Sequence, residues 1–418
     1  MTIEFFINPY QQYMDVIVSY EKNEIIQNYF FLNRDFVINK CIIDGANYDL
    51  CHKVEIVTLE WLEGYRVKKY SLPELNDKIT IEYTGHLSGN TGSWPYVRET
   101  ISPSFTFIRW ETFCYPIFFS DDRNSLRSFL FNPACVNMLV TVPDNYTAVA
   151  DADEVNIKTG NSTVLHSFSA QHMGVNIAVA KYNIKHLSVG TFYLLGEINR
   201  CQVENTINKT HAFMNTRFGK RVIANTRYIS VPSKLGGFTR PNAVFVEAAT
   251  FESENAMSHI IHEFIHLGWN VPADNETQGI RFFDEAFTSY FEMRAMEHLC
   301  PQNKNSRLTD FIYAYKNQIA RPDINTDIPI AKFGEHGYGD LSYTIGAICL
   351  FKLSELVGLE LFDNVTREFL QKYKNTPVNM KDFCQFYVKS CNNPEIEQFF
   401  ECWIYTANGP RAFIQRNM

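Results

Sequence analysis

Two histidines and a glutamate whose spacing suits metal chemistry lie in the segment His262-Glu263-Phe-Ile-His266. Residues four positions apart lie on one face of an α-helix, so both imidazoles can bind the same metal ion. Glu263 lies beside them, where it can take a proton from a metal-bound water. The apolar residues around the three supply a buried face for such a helix. The alternative interpretation is a core helix with two capped or exposed histidines.

A catalytic zinc ion has three protein ligands and an open position for water, so the two histidines leave one ligand to find. A second predicted helix, Phe282–Leu299, supplies Asp284 and Glu285. Eighteen residues separate His266 from Glu285, which is enough for a loop to return the chain and lay the second helix beside the first.

Two other glutamates are alternative third ligands. Glu276 falls in a turn-rich loop and is expected to be solvated. Glu292 lies two turns further along the second helix and could instead hold a ligand in place. The spacing by itself leaves these alternatives open.

The first half of the chain is expected to be rich in strands. Short runs of β-branched and aromatic residues, broken by turn residues, predict strands at Val54–Leu59, Lys78–Tyr83, Val136–Val142 and Val175–Val179. Many short strands with few helical stretches favour a β-sandwich or a saddle-like sheet.

Near residue 200 the pattern changes towards helix. Strands at Arg221–Val231 and Ala243–Glu247 open the second half. The sequence therefore predicts an α+β multidomain fold, with a β-rich domain over residues 1–200 and a mainly α catalytic domain over 201–418. Apolar periodicity predicts helices at Ala256–Gly268, Phe282–Leu299, Ser342–Leu356, Leu361–Tyr373, Met380–Ser390 and Pro394–Thr406.

Composition excludes several classes of protein. The 38 basic and 46 acidic residues give a net charge of −8, which argues against a nucleic-acid partner. No apolar run is long enough to span a bilayer and the N-terminus lacks the features of a secretory signal, so no membrane association is expected. The ten cysteines are scattered without a CxxC pair, which predicts reduced thiols and a cytoplasmic location.

The HExxH motif, followed after eighteen residues by Glu285, resembles the signature of the gluzincin aminopeptidases. Residues 283–292 are similar to the family's NEGFAxYxE segment, and residues 262–271 are similar to the HExxHxWNV run of the glycyl aminopeptidases. The chain thus resembles the aminopeptidase N family, whose relatives include the leukotriene hydrolases. The resemblance implies peptide substrates and a thermolysin-like domain with one zinc ion per chain, held by His262, His266 and Glu285.

The resemblance continues downstream of the zinc motif. Residues 337–347 are similar to the family's Y-x4-Y-E-K-G stretch, which implies that Tyr343 stabilises the transition state. A phenol is a neutral donor suited to an oxyanion. Tyr338 is a second candidate. Because the chain ends at Met418, we expect the family's large C-terminal helical domain to be absent.

The chain departs from the family at the strand that binds the substrate's amino group. Where the family has GAMEN or GGMEN, this chain has Gly236-Gly237-Phe-Thr239-Arg240, so Thr239 replaces the expected glutamate. A threonine cannot neutralise an ammonium group, and Arg240 would repel it but could bind a carboxylate. The alternative is that Arg240 is a solvated loop residue. The strand's backbone could still pair with an extended peptide.

These features predict a zinc-dependent peptidase whose requirement for a free amino terminus is in doubt. One alternative is endopeptidase activity, and another is hydrolysis of a non-peptide compound such as an epoxide or an amide. A third is a binding or scaffolding protein that has lost catalytic activity. Another acid, such as Glu247 or a residue of the N-terminal domain, could replace the missing glutamate. Glu335 and Tyr338 are the groups to test for a second activity. The sequence does not reveal the oligomeric state.

Overall fold

The computed structural model divides into two compact units, Met1–Ile198 with Ala224–Glu252 and Asn199–Ile223 with Ser253–Met418. The side chains of residues 154–157, 162–167, 275, 276, 278 and 417 are outside the description. The structure describes residues 1–50, 52–60, 64–87, 89, 100–122, 125–126, 136–151, 154–157, 162–167, 174–219, 226–240, 242–253, 257–269, 271, 273–301, 306–374 and 376–417.

The first unit contains the strands of the described part of the chain. Four of those predicted from the sequence, at residues 54, 78, 136 and 243, begin at the expected positions. The strands are β1 (Thr2–Asn8), β2 (Tyr13–Glu21), β3 (Tyr29–Asn33), β4 (Val37–Ile43), β5 (Ala46–Asn47), β6 (Val54–Leu59), β7 (Tyr65–Ser71), β8 (Lys78–Gly85), β9 (Thr106–Arg109), β10 (Val136–Thr141), β11 (Thr147–Ala150), β12 (Glu154–Ile157), β13 (Ser162–Ser167), β14 (Asn176–Ala180), β15 (Asn183–Leu187), β16 (Gly190–Leu194), β17 (Arg227–Val231), β18 (Phe238–Arg240) and β19 (Ala243–Glu247).

An eight-stranded sheet with the order β12-β13-β10-β1-β2-β8-β4-β5 forms the main layer of this unit. Along β2, buried residues alternate with more exposed ones, as expected when one face of a sheet packs on a core. Val16 is paired with Phe5 on one side and with Tyr83 on the other, and all three are buried. Three-stranded sheets with the orders β3-β7-β6 and β11-β14-β9 complete the N-terminal β-rich part.

A five-stranded sheet with the order β15-β16-β17-β19-β18 crosses the predicted boundary at residue 200. Strands β16, β17 and β19 run parallel, and β18 pairs antiparallel with β19 at the edge. A second core, which includes Phe107, Ile229 and Phe245, lies on this sheet. Because β17 continues a sheet begun by β15 and β16, residues 224–252 group with the first unit rather than with the helices.

The second unit is helical apart from one isolated bridge in its described part. Two turns of 3-10 helix, Ile330–His336 and Gly339–Tyr343, and two π-helical turns, Phe282–Ala286 and Glu401–Tyr405, join or extend its helices. The α-helices that the structure describes in full are α1 (Arg200–Phe218), α2 (Ala249–Glu252, in the first unit), α3 (Met257–Gly268), α4 (Asn275–Ile280), α5 (Phe287–Leu299), α6 (Ser306–Ile319), α7 (Ile345–Val357), α8 (Leu359–Lys372), α9 (Met380–Cys391), α10 (Glu395–Phe400) and α11 (Asn408–Asn417).

Helix α1 was not expected from the sequence, although it is the longest helix described. Its buried face includes Thr206 and Thr210 as well as Val203, Ile207 and Phe213. Threonine reads as polar in a hydrophobic pattern, so the periodicity of this face is masked. The hydroxyl of Thr210 donates to the carbonyl of Thr206 at 2.8 Å, which satisfies its polar group inside the helix.

Two sequence-based expectations can be compared with the described residues. The eight cysteines among them are free thiols, as expected. None of the helices described has both the length and the apolar character needed to cross a membrane.

Candidate metal centre

Helix α3 holds both histidines of the motif. Ile260, Ile261 and Ile265 are buried, so they anchor one face of the helix. His262 and His266 lie one turn apart on another face, with their ring centroids 4.9 Å apart. The helix therefore fixes two imidazoles as neighbours by its period alone.

The π-helical turn Phe282–Ala286 positions the third member of the group, Glu285. Such turns are rare and are frequently found at functional sites. Helix α7 packs closely on this turn at Gly346, where an added Cβ atom would come within 2.6 Å of the Cβ of Ala286. The sequence predicts a helix here but not its local π geometry.

Three donor atoms converge between α3 and the π-helical turn. Glu285 Oε2 lies 3.1 Å from His262 Nε2 and 3.4 Å from His266 Nε2. Ligand atoms of these three side chains all lie within 4.8 Å of one another. Glu285, rather than Glu292, is thus the glutamate that groups with both imidazole Nε2 atoms; the side chain of Glu276 is outside the described part.

The outer nitrogen of each histidine also faces a carboxylate. His262 Nδ1 lies 3.1 Å from Glu292 Oε2, and His266 Nδ1 lies 3.3 Å from Asp284 Oδ1. Arg307 Nε donates to Glu292 Oε1 at 2.9 Å, so Glu292 is itself held in place. Carboxylates at this position fix the tautomer and orientation of a metal-binding histidine.

The electrostatics of the group follow from its burial and its acids. Burial alone would lower the pKa of His262, but hydrogen bonds with Glu285 and Glu292 raise it to about 9. The pKa of His266 is raised well above its usual value, against burial, by Asp284 and Glu285. Burial would raise the pKa of Glu285, but His266, His262 and Arg281 hold it well below its usual range.

This donor set fits a zinc ion. Two imidazole nitrogens and one carboxylate oxygen, each with an outer hydrogen-bond partner, form the usual protein share of a catalytic zinc site. The protons on the two histidines would be displaced on metal binding, since a ligating imidazole must be neutral on the bonding nitrogen. The carboxylates around the two histidines outnumber them, so they favour positive charge there, whether it comes from protonated imidazoles or from a bound metal ion.

The match to known families covers this same region of the chain. Residues 237–403 match the model of the peptidase family M1 domain, and the match includes the two histidines and Glu285. This part of the chain is therefore similar to the M1 peptidase domain. A search of curated protein sequences finds no match.

Solved structures resemble nearly the whole chain in fold. Leukotriene A4 hydrolase from Saccharomyces cerevisiae is 13% identical with a TM-score of 0.67, over 97% of this chain and 67% of that one. A mutant M1 zinc metallopeptidase from Deinococcus radiodurans, bound to a Tyr-Ser-Ala substrate, is 13% identical with a TM-score of 0.65, over 96% and 92%. The predicted α+β architecture and the family resemblance are thereby confirmed.

Within the region similar to the M1 domain, Tyr343 lies beside the metal group. Its ring stacks near that of His262, with centroids 5.9 Å apart and an angle of 17° between the planes. The hydroxyl of the adjacent Ser342 donates to the carbonyl of Ile280 and ties this 3-10 turn to the end of α4, just before the π-helical turn. Burial and the charge of Glu285 raise the pKa of Tyr343 well above its usual value, so the phenol stays a donor.

Glu263 and Tyr338 have different surroundings in the same region. Glu263 is buried on α3, with 8% of its surface exposed. The hydroxyl of Tyr338 donates to the carbonyl of Asp323 at 2.8 Å and accepts the N–H of Asn325 at 3.0 Å. These contacts hold the loop that precedes the 3-10 turn Ile330–His336. They explain the presence of a tyrosine at this position by its structural role alone.

The motif that departs from the family lies on the edge strand β18 in the first unit. The Arg240 side chain is only 13% exposed, so Arg240 is not a solvated loop residue. Its Nη2 lies 4.0 Å from Glu111 Oε1, and its guanidinium lies 5.0 Å from the centroid of the Phe238 ring. Gly236 adopts a φ of +71°, and its N–H donates to Glu247 at 3.3 Å.

Arg281 was missed by sequence reasoning. It lies just before the π-helical turn, its guanidinium pairs with Glu285 Oε1, and it lies 5.2 Å from the centroid of the Tyr343 ring. An arginine four residues before a ligand on a helix was the available signal, because i and i+4 residues are neighbours.

Proposed function

We propose that the protein is a zinc-dependent hydrolase of peptide bonds. The observation that carries this proposal is the convergence of His262 Nε2, His266 Nε2 and Glu285 Oε2, with a carboxylate on the outer nitrogen of each histidine. A pure binding protein has no physical need for such a group. The M1 domain match over the same residues supports the proposal.

His262, His266 and Glu285 would hold a zinc ion, which would supply Lewis-acid polarisation of a carbonyl and lower the pKa of a bound water. Glu263 accepts the proton of the attacking water and later passes it to the leaving amine. Tyr343 donates a hydrogen bond to the oxyanion that develops on the carbonyl oxygen, a task for which its raised pKa keeps it protonated. Glu292 and Asp284 hold the two imidazoles in orientation.

The substrate is proposed to be an extended peptide. The similar metallopeptidase from Deinococcus radiodurans was solved with a tripeptide substrate, which supports this class. The edge strand β18, with Gly236 and Gly237 before it, offers backbone groups to such a peptide. Arg240 and Thr239 would then contact its side chains or its end, and Tyr338 is proposed to support the loop next to Tyr343.

Whether the peptide must have a free amino terminus is the finer question. Thr239 carries no charge, and Glu247 already accepts the N–H groups of Lys234 and Gly236, at 2.7 and 3.3 Å. We therefore favour cleavage that does not depend on an amino terminus. Glu111, buried beside Arg240, is the acid of the first unit to test for amine recognition.

Hydrolysis of a non-peptide substrate is the second candidate. The similarity in fold to yeast leukotriene A4 hydrolase favours it, because that protein is named for such a reaction. The same residues would serve, with Tyr343 as the donor to the oxygen that gains charge. A cytoplasmic location is proposed for either function, on the basis of the eight free thiols.

The test uses the full chain loaded with zinc and freed of excess metal. Metal analysis should give one zinc ion per chain, and a chelator should abolish hydrolysis that zinc then restores. Paired peptide libraries with free and N-acetylated amino termini separate the activities. Cleavage restricted to free amino termini would sink the endopeptidase form of the proposal, and a zinc content near zero would sink all of it.

A further inference from the structure

Arg281 occupies an unusual backbone conformation next to the metal group. It has a φ of 60°, in the left-handed region, and links α4 to the π-helical turn. A long side chain adopts this region at a cost, and only surrounding contacts hold it there. The contacts of the Arg281 guanidinium show which interactions offset the cost of this backbone conformation.

The two oxygens of Glu285 are divided between different partners. Oε2 faces both histidines, at 3.1 Å from His262 Nε2 and 3.4 Å from His266 Nε2. Oε1 accepts from Nη2 of Arg281. One carboxylate oxygen is therefore directed at the metal group while the other is held by a cation.

The same guanidinium has two further neighbours. Its Nη1 lies 3.4 Å from Asp340 Oδ1 on the 3-10 turn Gly339–Tyr343. Its carbon lies 5.2 Å from the centroid of the Tyr343 ring, within the range of a cation–π contact. Arg281 thus joins the third ligand to the turn that carries the proposed oxyanion donor.

We propose that Arg281 is a positioning residue that keeps Glu285 a one-oxygen zinc ligand and holds it in register with Tyr343. By occupying Oε1, it prevents both carboxylate oxygens from turning towards the metal, which leaves the fourth position to water. This inference rests on the proposed zinc function. It assigns to a residue outside the HExxH signature a control over how the third ligand binds.

The test measures zinc affinity, by competition with a chromogenic chelator, for the wild type and for Arg281→Asn and Arg281→Lys. Asparagine tolerates a positive φ better than most residues, so Arg281→Asn removes the guanidinium with little disturbance of the backbone. We expect its zinc affinity to fall by roughly 10–100-fold. Arg281→Lys keeps one charge but not the planar fork, and should recover part of the loss.

Cobalt substitution gives a readout that is independent of activity. If Oε1 becomes free to bind, the metal gains a ligand and the visible absorption of the cobalt form weakens. We expect this change in Arg281→Asn and a smaller one in Arg281→Lys.

Arg294→Asn is the matched control, because Arg294 also pairs with a partly buried carboxylate in the same unit, donating to Asp363 Oδ2 at 3.2 Å. It should lower thermal stability and leave zinc affinity unchanged. Unchanged zinc affinity in Arg281→Asn, or an equal loss in Arg294→Asn, would overturn the proposal.

A wild type that binds no zinc overturns this proposal together with the proposed function. A wild type that shows the Arg281 effect on zinc but hydrolyses no peptide leaves the positioning role standing and rejects the peptidase.

Discussion

The metal group on α3 and the π-helical turn contrasts with the edge strand β18 in how charge is paired. In the metal group, the inner carboxylate Glu285 lies within 3.4 Å of two imidazoles and pairs with Arg281. On β18, the carboxylate of Glu111 lies 4.0 Å from Arg240, and the Arg240 Nε is buried with no hydrogen-bond partner among the described residues.

The difference separates chemistry from recognition. A group that must act on a substrate is preorganised when each charge already has its partner, because little reorganisation is then needed during the reaction. A recognition residue with an unused donor can still gain a hydrogen bond when a ligand arrives. We infer that catalysis depends on the metal group, and that Arg240 affects mainly the choice of substrate.

The largest effect is expected from Glu263→Gln, which removes the proposed proton acceptor of the preorganised region. Turnover should fall by about 10²–10⁴-fold, while zinc content stays at one ion per chain. Peptide hydrolysis and metal analysis on the same sample check this. Glu355→Gln, on the surface of α7, is the control and should behave as wild type. If Glu263→Gln retained its turnover, Glu263 would not be the proton acceptor.

Tyr343→Phe should lower turnover by about 10²–10³-fold, because it deletes one hydrogen-bond donor to the oxyanion. Its zinc affinity should stay within a few-fold of the wild type, since the ring that packs near His262 is kept. A steady-state comparison of kcat and KM locates the loss in kcat. If zinc affinity fell as much as turnover, Tyr343 would instead be part of the metal group.

Zinc affinity should rise with pH up to about pH 9. In the metal-free protein, Glu285 and Glu292 raise the pKa of His262 to about 9, so zinc must displace a proton below that pH. The expected change is up to about tenfold per pH unit and per proton displaced. Chelator competition at several pH values measures it; a pH-independent affinity would contradict protonated histidines in the metal-free state.

The thermal stability of the metal-free protein should fall as pH rises, whereas zinc affinity rises. The folded pKa of His262 lies above the usual value of about 6.5, so its contacts contribute full stability below pH 6.5 and lose it as pH rises through about 9. Melting curves in the presence of a chelator test the sign. A metal-free protein that becomes more stable from pH 6.5 to 9 would contradict the assignment.

Arg240→Gln should produce the smallest effect on catalysis, confined to the choice of substrate. We expect up to roughly tenfold loss of preference for peptides that bear an acidic residue or a terminal carboxylate. Zinc affinity should not change. Competition between matched acidic and amide peptides measures it, and a large loss of turnover on all peptides would break the separation of recognition from chemistry.

Several elements could be predicted from residue patterns because local forces decide them. Strand β8 and helix α3 lie where the residue pattern indicated them, since a single buried face controls each. Helix α1 was missed because threonines complete its buried face. The placement of β17 was also missed, because its parallel partner β16 lies far away in the sequence.

The sequence by itself determined the two imidazoles and the glutamate beside them, because helical spacing is a local property that needs no tertiary contact. It also indicated Glu285 and Tyr343 through a resemblance. Only the tertiary structure decided that one oxygen of Glu285 faces the histidines while Arg281 holds the other, and that Arg240 is buried beside Glu111. The division of the Glu285 oxygens depends on the π-helical turn, and the contact of Arg240 with Glu111 depends on packing between residues far apart in the sequence.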